Sequence, residues 1–144
     1  MIQEATSLQA KEAAELALLL WPDNELETFI QEFAALLVQP DAKIFLAYDG
    51  KEAVGFAQCQ LRHDYVEGTS TSPVGYLEGL YVKEPFRKQG LARELTLACE
   101  EWSKAKGCQE FASDCELENV ESVKMHLKLG FHEANRIVCF TKQL

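Results

Sequence analysis

The chain has 144 residues, 47% of them hydrophobic, and a formal net charge of −9. That length fits one domain, residues 1–144, with enough apolar material for a core. The charge argues against a nucleic-acid partner, which needs a basic stripe. The N-terminus lacks the basic-then-apolar pattern of a signal peptide, and no apolar run is long enough to span a bilayer. The expectation is a cytoplasmic protein with neither a nucleic-acid nor a membrane partner. An acidic surface also suits a cationic substrate by steering it, although plain solubility selects the same sign. Cys59, Cys99, Cys108, Cys115 and Cys139 form no Cys-x-x-Cys and are expected as reduced thiols in or near the core. His63, His126 and His132 lack metal-ligand spacing, so no metal is expected.

In chain order, Ile2 to Ala5 suggests a strand, and Thr6 or Ser7 caps a helix running to Leu20, broken by Trp21-Pro22-Asp23-Asn24. Phe29, Ile30, Phe33, Leu36 and Leu37 have helical spacing within a second helix from about Glu25 to Val38. Lys43 to Tyr48, the turn Asp49-Gly50 and Ala53 to Arg62 form a hairpin. A polar loop, His63 to Val74, leads to a strand from Gly75 to Val82. A third helix spans about Gln89 to Lys106 and is closed by Gly107; a short strand follows at Glu110 to Asp114. A fourth helix, Glu118 to Leu129, ends at Gly130, and His132 to Gln143 supplies one or two final strands. The order β-α-α-β-β-β-α-β-α-β implies an α/β fold, an α+β mixed sheet with helices on both faces.

Between the fourth strand and the third helix lies Arg87-Lys88-Gln89-Gly90-Leu91-Ala92. Strand, glycine turn and helix N-terminus together make an anion site, because the first helical N–H groups lack intrahelical partners and the dipole is positive there. The segment is neither a P-loop nor a dinucleotide fingerprint. It resembles the (Arg/Gln)-x-x-Gly-x-(Gly/Ala) signature of the GNAT superfamily of acyl-CoA-dependent N-acetyltransferases, which also carries Leu-Gly-Phe near the C-terminus, here Leu129-Gly130-Phe131. The resemblance implies that the amides of Lys88, Gln89, Gly90, Leu91 and Ala92 hold the pyrophosphate of acetyl-CoA, with Arg87 also among the cofactor-binding residues. It implies that the strand of Leu80, Tyr81 and Val82 pairs with the pantetheine arm where it parts from the next strand. A backbone N–H near Leu80 then faces the thioester oxygen.

Two acids stand out on the residues alone. Glu78 lies in the apolar strand Tyr76-Leu77-Glu78-Gly79-Leu80, where alternation puts Tyr76, Glu78, Leu80 and Val82 on one face. A covered carboxylate there either forms an ion pair with a Lys or Arg or lines a site. Asp114 closes its strand, where ligands of α/β sheets gather, or else serves as a turn or cap acid.

A more specific likeness spans almost the whole chain. Trp21-Pro22, Leu61 to Gly68, Ser72-Pro73-Val74, Leu77-Glu78-Gly79, Ala112-Ser113-Asp114 and Leu129-Gly130-Phe131 resemble the small dimeric aminoglycoside 6′-N-acetyltransferases. That resemblance implies a homodimer, with Ile137 to Phe140 as a strand open to exchange between subunits. It implies an aminoglycoside pocket in which Trp21 and Tyr65 meet the sugar rings, Glu78 and Asp114 bind ammonium groups, Asn24 reaches the sugar and Asn119 contacts the cofactor. Plainer readings of these residues are a core plug for Trp21, a loop anchor for Tyr65 and a helix start for Asn119. Two positions depart from the pattern. His126 stands where many relatives have a tyrosine that protonates the leaving thiolate, and Asn135 stands where an acid is common. The expected chemistry is direct acetyl transfer to the 6′-amine, with Glu78 or Asp114 as proton acceptor and His126 as candidate acid. Other candidates are a polyamine, small-amine or protein N-acetyltransferase, and a non-catalytic acyl-CoA-binding module.

Overall fold

Thr6 starts the first helical segment. Its hydroxyl accepts the Leu8 N–H at 3.3 Å, and Gln9 Oε1 accepts the Thr6 N–H at 2.8 Å. This reciprocal cap satisfies two donors that would otherwise be orphaned. A 3₁₀ turn at Ser7–Gln9 leads into α1 (Ala10–Leu20). In the computed structural model, which describes all 144 residues, α1 buries the small side chains Ala13, Ala14 and Ala17 together with Leu16. α2 (Leu26–Leu36) adds Phe29 and Phe33, stacked at 5.5 Å. The two helices cover one sheet face over Ile44, Leu46 and Phe56. Each large side chain fully buried there is worth about 1.5–3 kcal/mol.

The sheet runs in sequence order: β1 (Ile2–Glu4), β2 (Ala42–Asp49), β3 (Glu52–Arg62), β4 (Val74–Val82) and β5 (Phe111–Ser113). All neighbours are antiparallel except β4 and β5. That parallel pair needs a crossover, supplied by α3 (Leu91–Ala105), whose Leu95 and Cys99 pack on the second sheet face against Ala57, Cys59, Leu77 and Val82. α4 (Val120–Lys128) follows β5. The mixed sheet with helices on both faces is the architecture expected from the sequence.

Two irregularities in β4 shape the site. Gln58 pairs with Gly79 and Cys59 pairs with Leu77, so Glu78 is an extra residue, a β-bulge. The bulge corrects the face assignment made by simple alternation. Tyr76 and Gly79 oppose Gln60 and Gln58 on the α1/α2 side, whereas Leu80 and Val82 belong to the α3-side core. Glu78 faces the α1/α2 side with Tyr76. The second irregularity is a parting of strands. β5 pairs with β4 only at Gly75, Tyr76 and Leu77, so Glu78 to Val82 have an open edge.

The final strand expected at His132 to Gln143 does not form within the chain. Its pattern has strand character, but a strand requires a partner, and none of the five strands pairs with it. Ile137, Val138 and Phe140 are left exposed, Phe140 at 88%. The cysteine expectation also divides: Cys59, Cys99 and Cys108 are buried, but Cys115 and Cys139 are exposed, and all five are free thiols.

Candidate active site

The turn before α3 presents a run of unpaired main-chain N–H groups. Lys88 (φ 63°) and Gly90 (φ 84°) both take left-handed backbone, a conformation that turns successive N–H groups toward a common concavity. The N–H groups of Lys88, Gln89 and Gly90 bond to no acceptor in the chain, and those of Leu91 and Ala92 are unpaired because they begin the helix. A Cβ placed on Gly90 would meet nothing within 4 Å, so the turn is open on that side of the glycine. Arg87 has a different job. Its Nε donates to the Val82 carbonyl at 2.7 Å and its guanidinium lies 5.3 Å from the Tyr81 ring centroid, tying the turn to the end of β4. A pyrophosphate-bearing cofactor fits this cluster of free amides, and an extended chain fits the open β4 edge at Leu80, Tyr81 and Val82.

On the α1/α2 side of the bulge a cavity of about 400 Å³ is lined by residues that include Trp21, Asn24, Gln58 and Glu78. Trp21 stands edge-on to Phe29 and Phe56, each at 6.2 Å. Its ring reaches over β4 because position 79 is glycine: a Cβ there would lie 2.5 Å from the indole. Asn24 donates to the Trp21 carbonyl at 3.1 Å, fixing the loop between the helices.

Glu78 is both ion-paired and cavity-lining, so the two readings of this residue hold together. Arg62 donates to it twice, from Nε at 3.0 Å and from a terminal nitrogen at 2.8 Å. The same guanidinium lies 3.4 Å from the centroid of the Tyr76 ring, and the Tyr76 hydroxyl donates to Asp114. Asp114 and Glu78 are thus joined through Tyr76 and Arg62. Burial, reinforced by the bond to Asp114, pushes the Tyr76 phenol well above its ordinary value, so it stays a donor. The Glu78 bond raises Arg62 above its already high value. The network holds two carboxylates against one guanidinium and keeps a net negative charge.

Other sequence candidates fall around this centre. Tyr65 is exposed and donates to Glu67 at 3.1 Å, and Asn135 donates to the same carboxylate at 2.7 Å. Glu67 therefore brings together the loop and the C-terminal tail, and Val66 between them packs on Tyr76. No hydrogen bond joins Tyr65 or Asn135 to Glu78 or Asp114. Asn119 caps α4 by accepting the Ser122 N–H at 3.2 Å, so its helix-start reading holds. His126 lies 2.7 Å through Nδ1 from the Ser122 carbonyl, which only accepts, so Nδ1 carries a proton. Its Nε2 is 2.8 Å from Ser113 Oγ, which is 3.2 Å from the Leu77 carbonyl at the last β4–β5 pair. His126 thus reaches the point where the strands part.

Sequence reasoning missed Arg62, Tyr76, Glu67 and Gln58. Alternation along β3 carried a usable signal for Arg62 and Gln58, since positions 58, 60 and 62 share a face. Nothing local marked Glu67.

The match to the acetyltransferase (GNAT) family model covers residues 10–131. The chain belongs to that family. Within it, this GNAT protein is 46% identical over 127 residues to an aminoglycoside N(6′)-acetyltransferase type 1 of Acinetobacter genomosp. 13, covering 88% of this chain and 86% of that one. It is 41% identical over 143 residues to the enzyme of that name from Acinetobacter haemolyticus, covering 99% and 98%. Among solved structures, AAC(6′)-Iy in complex with a CoA-S-monomethyl-acetylneamine bisubstrate analogue superposes with a TM-score of 0.95 at 35% identity, over 100% of this chain and 98% of that one. AAC(6′)-Ih from Acinetobacter baumannii gives 0.95 at 39% identity, with the same coverage.

Proposed function

We propose that this protein transfers the acetyl group of acetyl-CoA to the 6′-amine of aminoglycoside antibiotics and so confers resistance to them. The observation that carries the reading is the bulge at Glu78. It separates an anionic, Trp21-walled cavity from an open strand edge that leads to the free amides before α3. The named relatives act in that reading's favour, since they carry this activity over nearly the whole of the shared length.

Acetyl-CoA supplies an activated acetyl group. In this reading the amides from Lys88 to Ala92 bind its pyrophosphate, the main chain of Leu80, Tyr81 and Val82 aligns its arm, and Asn119 lies near the reacting end. Glu78 and Asp114 bind ammonium groups of the acceptor, Trp21 packs on a ring, and Asn24, Tyr65 and Asn135 contact the sugar. The amine must be neutral to react. Glu78 or Asp114 takes its proton, directly or through water, and positioning of the amine outweighs base strength. His126 acts as an acid toward the leaving thiolate only as an imidazolium, since the neutral ring uses its one proton on Ser122.

We further infer a cytoplasmic homodimer. The exposed tail residues Ile137, Val138 and Phe140 support a shared strand, because a second copy would give them both a strand partner and cover.

The test is thiol release from acetyl-CoA across an aminoglycoside panel with spermidine as a competing acceptor, and products mapped to the modified amine. Acetylation at the 6′ position supports the reading. A preference for spermidine, or modification elsewhere on the sugar, overturns it.

A further inference from the structure

The cavity beside Glu78 does not end there. A second cavity of about 360 Å³ adjoins it, and Glu32 and Leu36 of α2 line both. Together they form one groove between α2 and the outward-facing positions of β3. Glu32, Gln39, Gln58 and Gln60 line this groove without a side-chain partner in the chain, and Gln58 is the buried one of the three amides. Gln58 is only 9% exposed, yet its carboxamide bonds to no group in the chain, and no polar side-chain atom is both sealed from solvent and unbonded, so the carboxamide opens onto the groove. Glu32 forms no ion pair. Glu78 is compensated by Arg62 and Asp41 faces His63 at 3.1 Å, so Glu32 is the uncompensated carboxylate of the groove.

Because the carboxamide is open to the groove, a ligand there can bond to it in place of water. A carboxamide both donates and accepts, which matches the neighbouring hydroxyl and ammonium groups of an amino sugar. We propose that Glu32 and Gln58 form a second acceptor subsite, for the ring next to the one that carries the reacting amine: Glu32 takes a ring ammonium and Gln58 bridges a hydroxyl and an amine. This rests on the proposed aminoglycoside acetylation and adds a specificity determinant to it. The ring bound at Trp21 and Glu78 would be fixed by the chemistry; the adjacent ring would be selected at α2.

The test compares 6-amino-6-deoxyglucose, neamine and kanamycin as one-, two- and three-ring acceptors for the wild type, Glu32→Gln and Gln58→Leu. Glu32→Gln changes an exposed helix residue and keeps the fold; Gln58→Leu keeps the volume and removes the amide, with its folding checked by thermal melt. Either variant is expected to lower the ratio of kcat/KM for neamine over the one-ring amine by about tenfold, as loss of a charge-assisted bond does, through KM rather than kcat. An unchanged ratio in Glu32→Gln overturns the subsite, as does an equal fall for all three acceptors, which would mark general attraction of cations. If the wild type acetylates none of them, the proposed function fails instead.

Discussion

Arg62 and Glu78 offer a quantitative check on the candidate site. Their doubly bonded contact, at 2.8 and 3.0 Å, puts opposite charge centres about 4 Å apart, worth about 4 kcal/mol at an effective dielectric of 20. Solvent reduces that, since the Arg62 side chain is 41% exposed and that of Glu78 20%. The expected coupling is about 1–2 kcal/mol, above the ~0.2–1 kcal/mol of exposed pairs and below the ~3–5 kcal/mol lost when one partner of a buried pair is removed. The assay is a double-mutant cycle in urea with Arg62→Gln, Glu78→Gln and the pair together. The single Arg62→Gln change should destabilise most per charge removed, because it strips Glu78 and also loses the cover over Tyr76. A coupling below about 0.5 kcal/mol would refute the claim that Arg62 fixes Glu78.

Gly90→Ala should cost about 1–2 kcal/mol of stability, since φ is 84° there and alanine is strained in that region. It should also weaken CoA binding at least tenfold by calorimetry, because a shift of φ away from 84° would turn the neighbouring N–H groups out of their common direction; unchanged affinity would contradict the assignment of that turn. Asp114→Ala should raise KM for the aminoglycoside far more than it lowers kcat, and a fall in kcat with KM intact would remove Asp114 from the ammonium site. Glu110 accepts from the Thr71 hydroxyl and from the backbone N–H groups of Ser70 and Thr71, which hold its carboxyl below the ordinary value of 4.5. A lowered folded pKa adds stability that is full above that value and is lost as pH falls through the folded one. Glu110→Gln should therefore lower Tm near neutrality and flatten its decline on acidification, as melts at about pH 3 and pH 6 would show; an unchanged acid slope would argue against this anchor.

Much of the fold was legible because its signals are local. Thr6 or Ser7 announces a cap, Asp49-Gly50 a hairpin, and the helical spacing of Phe29 and Phe33 a buried face. The turn before α3 was legible for the same reason, as its unpaired main-chain N–H groups follow from Gly90 and the start of the helix. The faces of β4 were not, because a bulge depends on how two strands pair and leaves no mark on the apolar pattern from Tyr76 to Val82. Arg62 was hidden by distance, 16 residues from Glu78, and Glu67 by lying in a polar loop where an acid is ordinary. The tail misled because Ile137 to Phe140 has strand character without an edge inside the chain on which to use it.

The extra residue at Glu78 has a consequence for how this strand tolerates change. Upstream of it, odd-numbered Leu77 points into the α3 layer; downstream, even-numbered Leu80 and Val82 do so. Removing residue 78 would restore a regular ladder with Leu77 opposite Cys59 and Gly79 opposite Gln58, and Leu77, Leu80 and Val82 would all keep their places in the α3 layer. The core does not require the extra residue; what it adds is a carboxylate on the α1/α2 side beside Arg62, so a variant lacking residue 78 should fold and lose that charge.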